Sequence, residues 1–377
     1  MLAGHPERNA IIMKKLIALT LALMMVLCGC GGNTEETTVP TTLPTEPTTE
    51  ATTEVTTEPA TEPTTAPTEA PPVDVNPLTG EELEQVNDNR IIAVMINNQS
   101  QALPQCGIGQ ADIIYEILAE GSTTRLMAVF TDPTDAGPIG PVRSLRAYYL
   151  NIMRGYDAIC TSAGGSSEAD NMIYNLGYDR MNGIGGDGAG YFYRDAWRRD
   201  NRGYEHSMFI TGEDLFNGSA AIGFRTTETE GRTYGLTFTE EPLTSGDSVS
   251  QIVVHFRSDG KTTKLTYSAE NGYYTAYQQG QDLIDGNTDE VIPFKNVVVL
   301  FANSYVMDAE AHLYVQTTGE GTGYYARDGK VVEIKWARAD ETSNYEYYDM
   351  EGNPIDFGVG KSYIAVIPEN SPVDFAG

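Results

Sequence analysis

Residues 90–97 read RIIAVMIN, a near-continuous apolar run with the length of one β-strand. Side chains along a strand alternate between the two faces of a sheet, so a run that is apolar at successive positions is covered on both faces. The run therefore predicts a buried strand inside a layered domain.

The residues that follow extend this sheet. Residues 112–119 and 124–131 are apolar segments of strand length on either side of Glu120-Gly121-Ser122, which is typical of a hairpin turn. Residues 157–161 are a further short strand. The pattern indicates a sheet that is built early in the chain.

Two helices are predicted between and after these strands. Pro141 precedes VRSLRAYYLNIM, where apolar residues at 142, 145, 149, 152 and 153 have helical spacing, and proline suits a first helical turn. Residues 166–176 form the second helix, with Ser167 and Asp170 in capping-box relation. Strands interleaved with helices favour an α/β or α+β arrangement.

The second half of the chain has a different pattern. Beyond residue 248, short segments rich in Val, Ile, Tyr and Thr are separated by turns, and Asp328-Gly329 is the clearest hairpin signal. We predict an α+β fold: an α/β-type domain with a mixed sheet and helices over residues 76–247, then a smaller β-rich domain over residues 248–372.

The N-terminus has the pattern of an export signal. Lys14-Lys15 precedes a twelve-residue apolar run that is too short to span a bilayer. Leu27-Cys28-Gly29-Cys30 resembles a bacterial lipobox, which makes Cys30 the lipidated residue and residues 1–29 a signal peptide whose true start is Met13. We expect the protein on the extracytoplasmic face of the membrane, held by its lipid.

Residues 30–75 form a linker of Thr, Pro and Glu between this anchor and the domains. Glutamates recur at every fourth residue from 46 to 62, but the interspersed prolines prevent a helix and the like charges repel. The composition predicts a disordered, extended tether.

Charge and cysteine content limit the partners. The 377-residue chain has a formal net charge of −29, which argues against nucleic acid and anionic lipid headgroups and favours neutral or cationic ligands. Cys106 and Cys160 can be free thiols or a disulfide, and we favour free thiols. Neither has a His or Cys at metal-ligand spacing, so no metal site and no cofactor are expected.

Three groups of residues are candidates for chemistry. Arg143 and Arg146 lie three apart in the predicted helix near its first turn, where backbone N–H groups and two guanidinium groups would bind a carboxylate or phosphate. The alternative is that these arginines pair with the many carboxylates of the chain.

Glu116 and Glu120 are either a carboxylate pair or counter-charges for Arg125, and we favour the ion pair.

The second candidate is the turn TSAGGSSEAD at residues 161–170. Gly164 and Gly165 let backbone N–H groups approach a ligand, and Ser166 lies where a helix begins. The turn matches neither a nucleophile elbow nor a P-loop, so N-capping is the default for its serines. The functional interpretation is a backbone anion site shared with the two arginines.

The third candidate follows residues 177–203, a segment rich in glycine, arginine and aromatic residues that lacks regular patterning and is predicted to be a long, irregular loop. Its Arg194 is a candidate ligand-binding residue. Glu205-His206 at its end could act as general acid or base. The alternative is a structural histidine that bonds to the loop backbone.

Sequence blocks in both halves resemble the YerB-like lipoprotein family, domain of unknown function 3048. The blocks are IIAVMINN, ADIIYEILAEG, TTRLMAVF, IGPVRSLRAYYL, SAGGSSEAD, EHSMF, EIKWARA and YYDMEGNPIDFGVGKSYIAVIP. The resemblance implies an α/β-type domain and a smaller β-rich domain on a bacterial membrane anchor. It implies no activity. Its blocks include Arg125, which joins the candidate ligand-binding residues.

These observations lead to one main hypothesis and two alternatives. The main hypothesis is a membrane-anchored protein that binds an envelope-derived polar or anionic ligand, such as a cell-wall glycan, peptide or phosphate-bearing fragment. The alternatives are an envelope hydrolase or transferase that uses His206 as acid or base, and a structural adaptor for another envelope protein. We lean towards a non-enzymatic role.

Overall fold

A computed structural model describes residues 74–257 and 260–377 of the chain. The predicted signal peptide, Cys30 and nearly all of the tether lie outside these residues. In the first half, the helices are α1 (Ala147–Gly155), α2 (Ser167–Leu176), α3 (Ala196–Asn201) and α4 (Gly212–Ala221). The strands are β1 (Ile92–Asn97), β2 (Ile113–Leu118), β3 (Thr124–Phe130), β4 (Pro138–Ile139), β5 (Ile159–Ser162), β6 (Arg180–Asn182), β7 (Tyr193–Arg194), β8 (Met208–Thr211) and β9 (Thr237–Thr239).

The second half of the chain consists of short strands. They are β10 (Asp247–Ser248), β11 (Gln251–His255), β12 (Thr262–Ser268), β13 (Tyr273–Gln278), β14 (Gln281–Asp282), β15 (Ile284–Asp285), β16 (Glu290–Val291), β17 (Pro293–Phe294), β18 (Asn296–Ala302), β19 (Ser304–Val306), β20 (Leu313–Val315), β21 (Gly319–Arg327), β22 (Lys330–Arg338), β23 (Glu346–Tyr348), β24 (Asp356–Gly358), β25 (Ser362–Pro368) and β26 (Val373–Ala376).

Strand β1 is the buried strand that the apolar run predicts. All six of its residues are buried. It pairs antiparallel with β3, where Val94 is opposite Ala128, and parallel with β5, where Val94 is opposite Thr161. Neighbours on both edges and layers on both faces explain why the strand is apolar until Asn97. The predicted hairpin is confirmed as well, because β2 and β3 pair antiparallel around their turn.

A strand from the end of the chain joins the two halves. Strand β25 lies parallel to β2, with Ile113 opposite Ser362, and β18 lies parallel to the other edge of β25, with Val299 opposite Ala365. The result is an eleven-stranded mixed sheet in the order β10-β22-β21-β18-β25-β2-β3-β1-β5-β6, with β23 beside β22. The predicted fold class is confirmed. The boundary at residues 247 and 248 stays a prediction.

Each face of this large sheet packs against another layer. A second sheet, β14-β13-β12-β11-β26 with β17 beside β13, places residues such as Leu265 against the face that carries Ile114 and Ala128. The opposite face packs against α1 through Tyr148 and Tyr149. Burial of these apolar side chains on both sides supplies most of the favourable free energy of folding.

The helix predicted to start after Pro141 begins only at Ala147. Val142 forms a bridge to Ile96, and the Arg143 N–H donates to the Met95 carbonyl at 2.8 Å, so this segment is extended beside the end of β1. Apolar spacing alone could not separate the two conformations, since the extended residue Val142 is buried too. The arginines at 143 and 146 therefore do not lie in the first turn of a helix.

Other local predictions need smaller corrections. Ser166, rather than Ser167, caps α2, because its Oγ accepts a hydrogen bond from the Ala169 N–H at 3.2 Å. The segment 177–203, predicted to be irregular, contains β6, β7 and α3. Cys106 and Cys160 are free thiols. Within the described ranges, no helix is long and apolar enough to cross a bilayer.

One fully buried carboxylate lies where the halves meet. Glu116 of β2 is 0% exposed. Its Oε1 accepts hydrogen bonds from Thr124 Oγ1 at 2.5 Å and Asn98 Nδ2 at 3.0 Å, both in the N-terminal half. Its Oε2 accepts from Thr263 Oγ1 of β12 at 2.7 Å and from the Tyr363 hydroxyl of β25.

The charge of this carboxylate is balanced by one lysine. Lys261 Nζ lies 3.2 Å from Glu116 Oε1, and only 7% of the lysine side chain is exposed. Burial raises the pKa of Tyr363 well above its usual value, so its hydroxyl keeps its proton and donates. A buried ion pair contributes to stability only if its polar atoms are hydrogen-bonded, and here both Glu116 oxygens accept such bonds.

Replacing Glu116 by Gln should strongly destabilise the protein. The variant leaves the Lys261 charge buried without its partner, which costs about 3–5 kcal/mol in comparable cases. Urea unfolding at pH 7 measures this loss. Glu270→Gln in the exposed β12–β13 turn is the control, and should change the free energy of unfolding by less than about 0.5 kcal/mol.

The double variant Glu116→Gln/Lys261→Met separates the charge effect from other losses. It should be more stable than Glu116→Gln alone, because no unpaired charge remains in the core. Equal unfolding midpoints for Glu116→Gln and Glu270→Gln would contradict the account.

Candidate ligand-binding site

Three of the predicted arginines lie around two glutamates. Arg125 Nη2 is 3.1 Å from Glu120 Oε2, and Arg146 binds the other oxygen of the same carboxylate. Arg143 pairs with Glu205. The expected ion pair of Arg125 is therefore confirmed for Glu120, and these five residues form what we call the arginine cluster.

The charges of the arginine cluster compensate one another. Burial alone would raise the pKa of Glu120, but Arg146 and Arg125 outweigh it and hold that pKa below its usual range. The hydrogen bond from Arg143 likewise lowers the pKa of Glu205. Burial lowers the pKa of the Arg125 guanidinium to about 10, so it stays charged at neutral pH. Three positive charges thus face two negative ones.

The glycine turn is tied to the arginine segment by its own backbone. The Gly164 N–H donates to Asn182 Oδ1 at 2.9 Å, and the Ser166 N–H donates to the Leu145 carbonyl at 3.0 Å. A Cβ on Gly165 would come within 2.6 Å of a carboxylate oxygen of α2. Two N–H groups of the predicted anion site are therefore already used, and Gly165 makes room for a neighbouring side chain.

His206 is buried and held by a neighbouring amide. Only 6% of the residue is exposed, and its Nδ1 lies 2.9 Å from Asn97 Nδ2. Because the amide nitrogen donates, Nδ1 accepts and the ring proton is on Nε2. Burial lowers the pKa of His206, with Glu205 opposing and Arg143 adding to the shift. The Glu205 carboxylate hydrogen-bonds to Arg143, and an acid–base role for Glu205 and His206 stays a prediction.

Arg194 is bound within the loop before His206. Its Nη1 donates to the Tyr204 carbonyl at 2.6 Å, and its guanidinium lies 3.4 Å from the centre of the Tyr204 ring. It also reaches Ser207 Oγ at 3.3 Å. Among the residues predicted from sequence, the arginine segment and the glycine turn are joined by backbone hydrogen bonds. Arg194 instead contacts the turn Tyr204–His206, to which His206 belongs.

A second site, which the sequence does not single out, lies on the other side of the hairpin end. We call it the polar cleft, and its volume is about 480 Å³. Apart from Gly260, its lining residues carry amide, hydroxyl or ammonium side chains, and they come from both halves of the chain. They are Asn98, Gln99, Ser100, Gln101, Ser122, Thr123, Thr124, Gly260, Lys261, Thr262 and Gln279.

The floor of the polar cleft contains the buried lysine described above. Lys261 Nζ binds Glu116 behind it and the side-chain Oε1 of Gln278 beside it. Burial lowers the pKa of Lys261, while Glu116 opposes that shift. Asn98 donates to both Glu116 and Gln278, and it accepts from Gln105 Nε2 at 2.8 Å. This network holds the floor of the cleft rigid.

Strand alternation explains how two different sites arise at one hairpin end. Asn97 points to the face with His206, and Asn98 points to the face with Glu116. Likewise Arg125 joins the arginine cluster, and its neighbour Thr124 joins the floor of the cleft. Two consecutive asparagines after an apolar strand were the available signal. Nothing in the sequence indicates that Lys261, 160 or more residues further along the chain, lies beside them.

In the described part of the chain, one further group has the composition of a metal site. A donor atom of each of Asp308, Glu310 and His312 lies within 4.8 Å of the others. His312 Nδ1 is 2.6 Å from Asp308 Oδ2, and Asp308 Oδ1 accepts from the His312 N–H at 2.9 Å. These contacts close the β19–β20 turn, which accounts for the arrangement.

Comparison with known proteins identifies the family. The model for "Protein of unknown function (DUF3048) N-terminal domain" matches residues 78–225, and the corresponding C-terminal domain model matches residues 252–364. The chain is 26% identical over 296 residues to a Bacillus subtilis (strain 168) protein named "Putative lipoprotein YerB", covering 78% of this chain and 86% of that protein.

The fold is shared with this relative. A crystal structure of the YerB protein from Bacillus subtilis matches with a TM-score of 0.69 and 25% sequence identity, covering 80% of this chain and 99% of the other. Both domain models match in order, and the match to one solved chain extends over both of them. The chain belongs to the YerB-like family of proteins of unknown function, DUF3048.

Proposed function

We propose that this protein is a lipid-anchored binding protein of the cell envelope, and that it binds an envelope-derived polar ligand in the polar cleft. The lipobox-like sequence at Cys30 and the long Thr/Pro/Glu tether support the anchor. The Bacillus subtilis relative is named "Putative lipoprotein YerB", which agrees with this location. The ligand then comes from the wall or from its surroundings.

One observation carries the proposed site: a buried ion pair forms the floor of an open cleft. Glu116 is fully buried and Lys261 is 7% exposed, yet the lysine lines a cleft that solvent can enter. A buried ion pair is often no more stabilising than apolar residues of similar volume. Its presence here is explained if the ammonium group binds a ligand oxygen.

The cleft also has the donors and acceptors that a polar ligand needs. Its side chains are amides and hydroxyls, each of which can donate and accept. Thr124 and Thr262 lie in β3 and β12, and the other lining residues lie outside the strands. Hydrogen bonds such as that from Gln279 Nε2 to the Asn98 carbonyl hold these segments in place, and a preorganised site binds a ligand with little loss of conformational freedom.

The arginine cluster is less suited to a ligand. Its guanidinium groups already bind Glu120 and Glu205, and an anion would have to compete with these carboxylates. Its contacts favour a structural role at the hairpin end. The hydrolase hypothesis loses support for a related reason, because His206 bonds to Asn97 and Glu205 to Arg143.

Lys261→Met should abolish ligand binding. We suggest incubating the full-length chain in detergent with soluble muramidase fragments of bacterial envelope, and identifying the retained fragments by mass spectrometry. The parent and the control Lys264→Met, a lysine of β12 outside the cleft lining, should retain the same fragments. The amount of fragments that Lys261→Met retains should be at least tenfold lower.

A second variant protects this test from a folding defect. Ser122 is an exposed residue on the rim of the cleft, and Ser122→Trp should fill the cleft without touching the ion pair. Asn271→Trp, in the exposed turn at the far end of the β12–β13 hairpin, is its control. If folded Ser122→Trp protein retains fragments as the parent does, the ligand does not bind in the cleft.

The double variant Arg143→Gln/Arg146→Gln should leave fragment retention unchanged. Its free energy of unfolding should fall by about 1 kcal/mol, because partly exposed ion pairs contribute little each. Retention assays and urea unfolding measure the two effects. Loss of binding with unchanged stability would instead assign the ligand to the arginine cluster.

A further inference from the structure

The polar cleft has a distinctive charge balance. Among the described residues that line it, Lys261 alone has an ionisable side chain. Glu116, 3.2 Å behind the ammonium group, neutralises that charge from inside the core. The floor of the cleft is therefore close to electrically neutral when seen from the entrance.

This balance selects against charged ligands of both signs. A cation would meet the Lys261 ammonium group in a partly desolvated site, where like charges repel more strongly than in water. An anion would be attracted by Lys261 but repelled by Glu116 only a few ångströms further away. The net charge of −29 on the whole chain adds a long-range repulsion against anions.

Neutral donors and acceptors dominate the rest of the cleft. Gln99, Gln101 and Gln279 contribute amides, and Ser100, Ser122, Thr123 and Thr262 contribute hydroxyls. Such groups pair with hydroxyl and amide groups of a ligand without any net charge. The volume of about 480 Å³ lies within the range of small-molecule sites.

The ammonium group of Lys261 fits the same ligand. It has three N–H donors, and the contacts to Glu116 and Gln278 use two of them. The third can bind a neutral carbonyl or hydroxyl oxygen. An ammonium hydrogen bond to a neutral oxygen is still stronger than one between neutral groups.

We infer that the ligand of the polar cleft is an uncharged molecule rich in hydroxyl and amide groups, the chemistry of an N-acetylated oligosaccharide. This inference rests on the proposed function and specifies its ligand. A further cation beside the rim is Arg257, whose Nη1 donates to the Gly121 carbonyl at 3.5 Å. It is outside the lining, and the anionic probe below tests its influence.

Three tetrasaccharides of different charge test the inference. The probes are the neutral N-acetylglucosamine tetramer, the cationic glucosamine tetramer and the anionic galacturonic acid tetramer. Calorimetric titration of the full-length chain in detergent, at 20 mM and 300 mM NaCl, gives each affinity. Ser122→Trp and Asn271→Trp serve as the cleft-filling variant and its control.

The neutral probe should bind the parent and Asn271→Trp at least tenfold more tightly than either charged probe. Its dissociation constant should change less than twofold with salt, since screening affects charged ligands. Ser122→Trp should abolish its binding.

Two outcomes would overturn the inference and leave the proposed function intact. One is tighter binding of the galacturonic acid tetramer, with an affinity that falls as salt rises. The other is that the neutral probe does not bind, although the parent protein still retains envelope fragments and Lys261→Met and Ser122→Trp both abolish that retention. A failure of the proposed function gives a different result, because Lys261→Met and Ser122→Trp would then retain envelope fragments as the parent does.

Discussion

The buried carboxylate of Glu116 is the interaction on which the rest of the structure depends. It accepts hydrogen bonds from the hairpin, from the second sheet and from β25, and it pairs with Lys261. A charge without partners in this position would cost several kcal/mol, so strands far apart in the sequence must come together correctly to satisfy it. The same residue thus joins the two halves of the chain and sets the floor of the polar cleft.

The hairpin end separates two kinds of polar surface. On one face, arginines and glutamates bind one another and the backbone, which gives a rigid cluster with little capacity left for a ligand. On the other face, amides and hydroxyls surround the ammonium group of Lys261, whose charge Glu116 balances from inside the core. Alternation along β1 and β3 produces both surfaces, because Asn97 and Asn98, and Thr124 and Arg125, point in opposite directions. The proposed function uses the second surface and assigns the first a supporting role.

Local features of the fold could be predicted from the sequence. The buried strand at residues 92–97, the β2–β3 hairpin and the Asp328-Gly329 turn follow from apolar periodicity and turn chemistry. The start of α1 could not be predicted, since residues 142–145 have helical spacing but are held extended by β1. Pairing of β25 with β2 was also beyond reach, because parallel pairing over some 250 residues leaves no local signal.

The candidate site, like the fold, could be predicted only in part from the sequence. Sequence reasoning found the arginines and the histidine because these residue types are scarce or reactive. It missed the cleft because amides and hydroxyls are common in loops, and because Lys261 acquires meaning only beside Glu116. Glu116 itself was considered as a carboxylate pair with Glu120 or as a partner of Arg125. In the structure Glu120 is the ion-pair partner of Arg125, and Glu116 faces the opposite side of the sheet.

The most direct test of the central claim is an NMR titration that observes the lysine Nζ and arginine Nε resonances together while the N-acetylglucosamine tetramer is added. The account predicts that the Lys261 Nζ signal shifts in a saturable manner while the Nε signals of Arg125, Arg143 and Arg146 stay in place. Saturable shifts of those arginines with an unchanged Lys261 signal would contradict it.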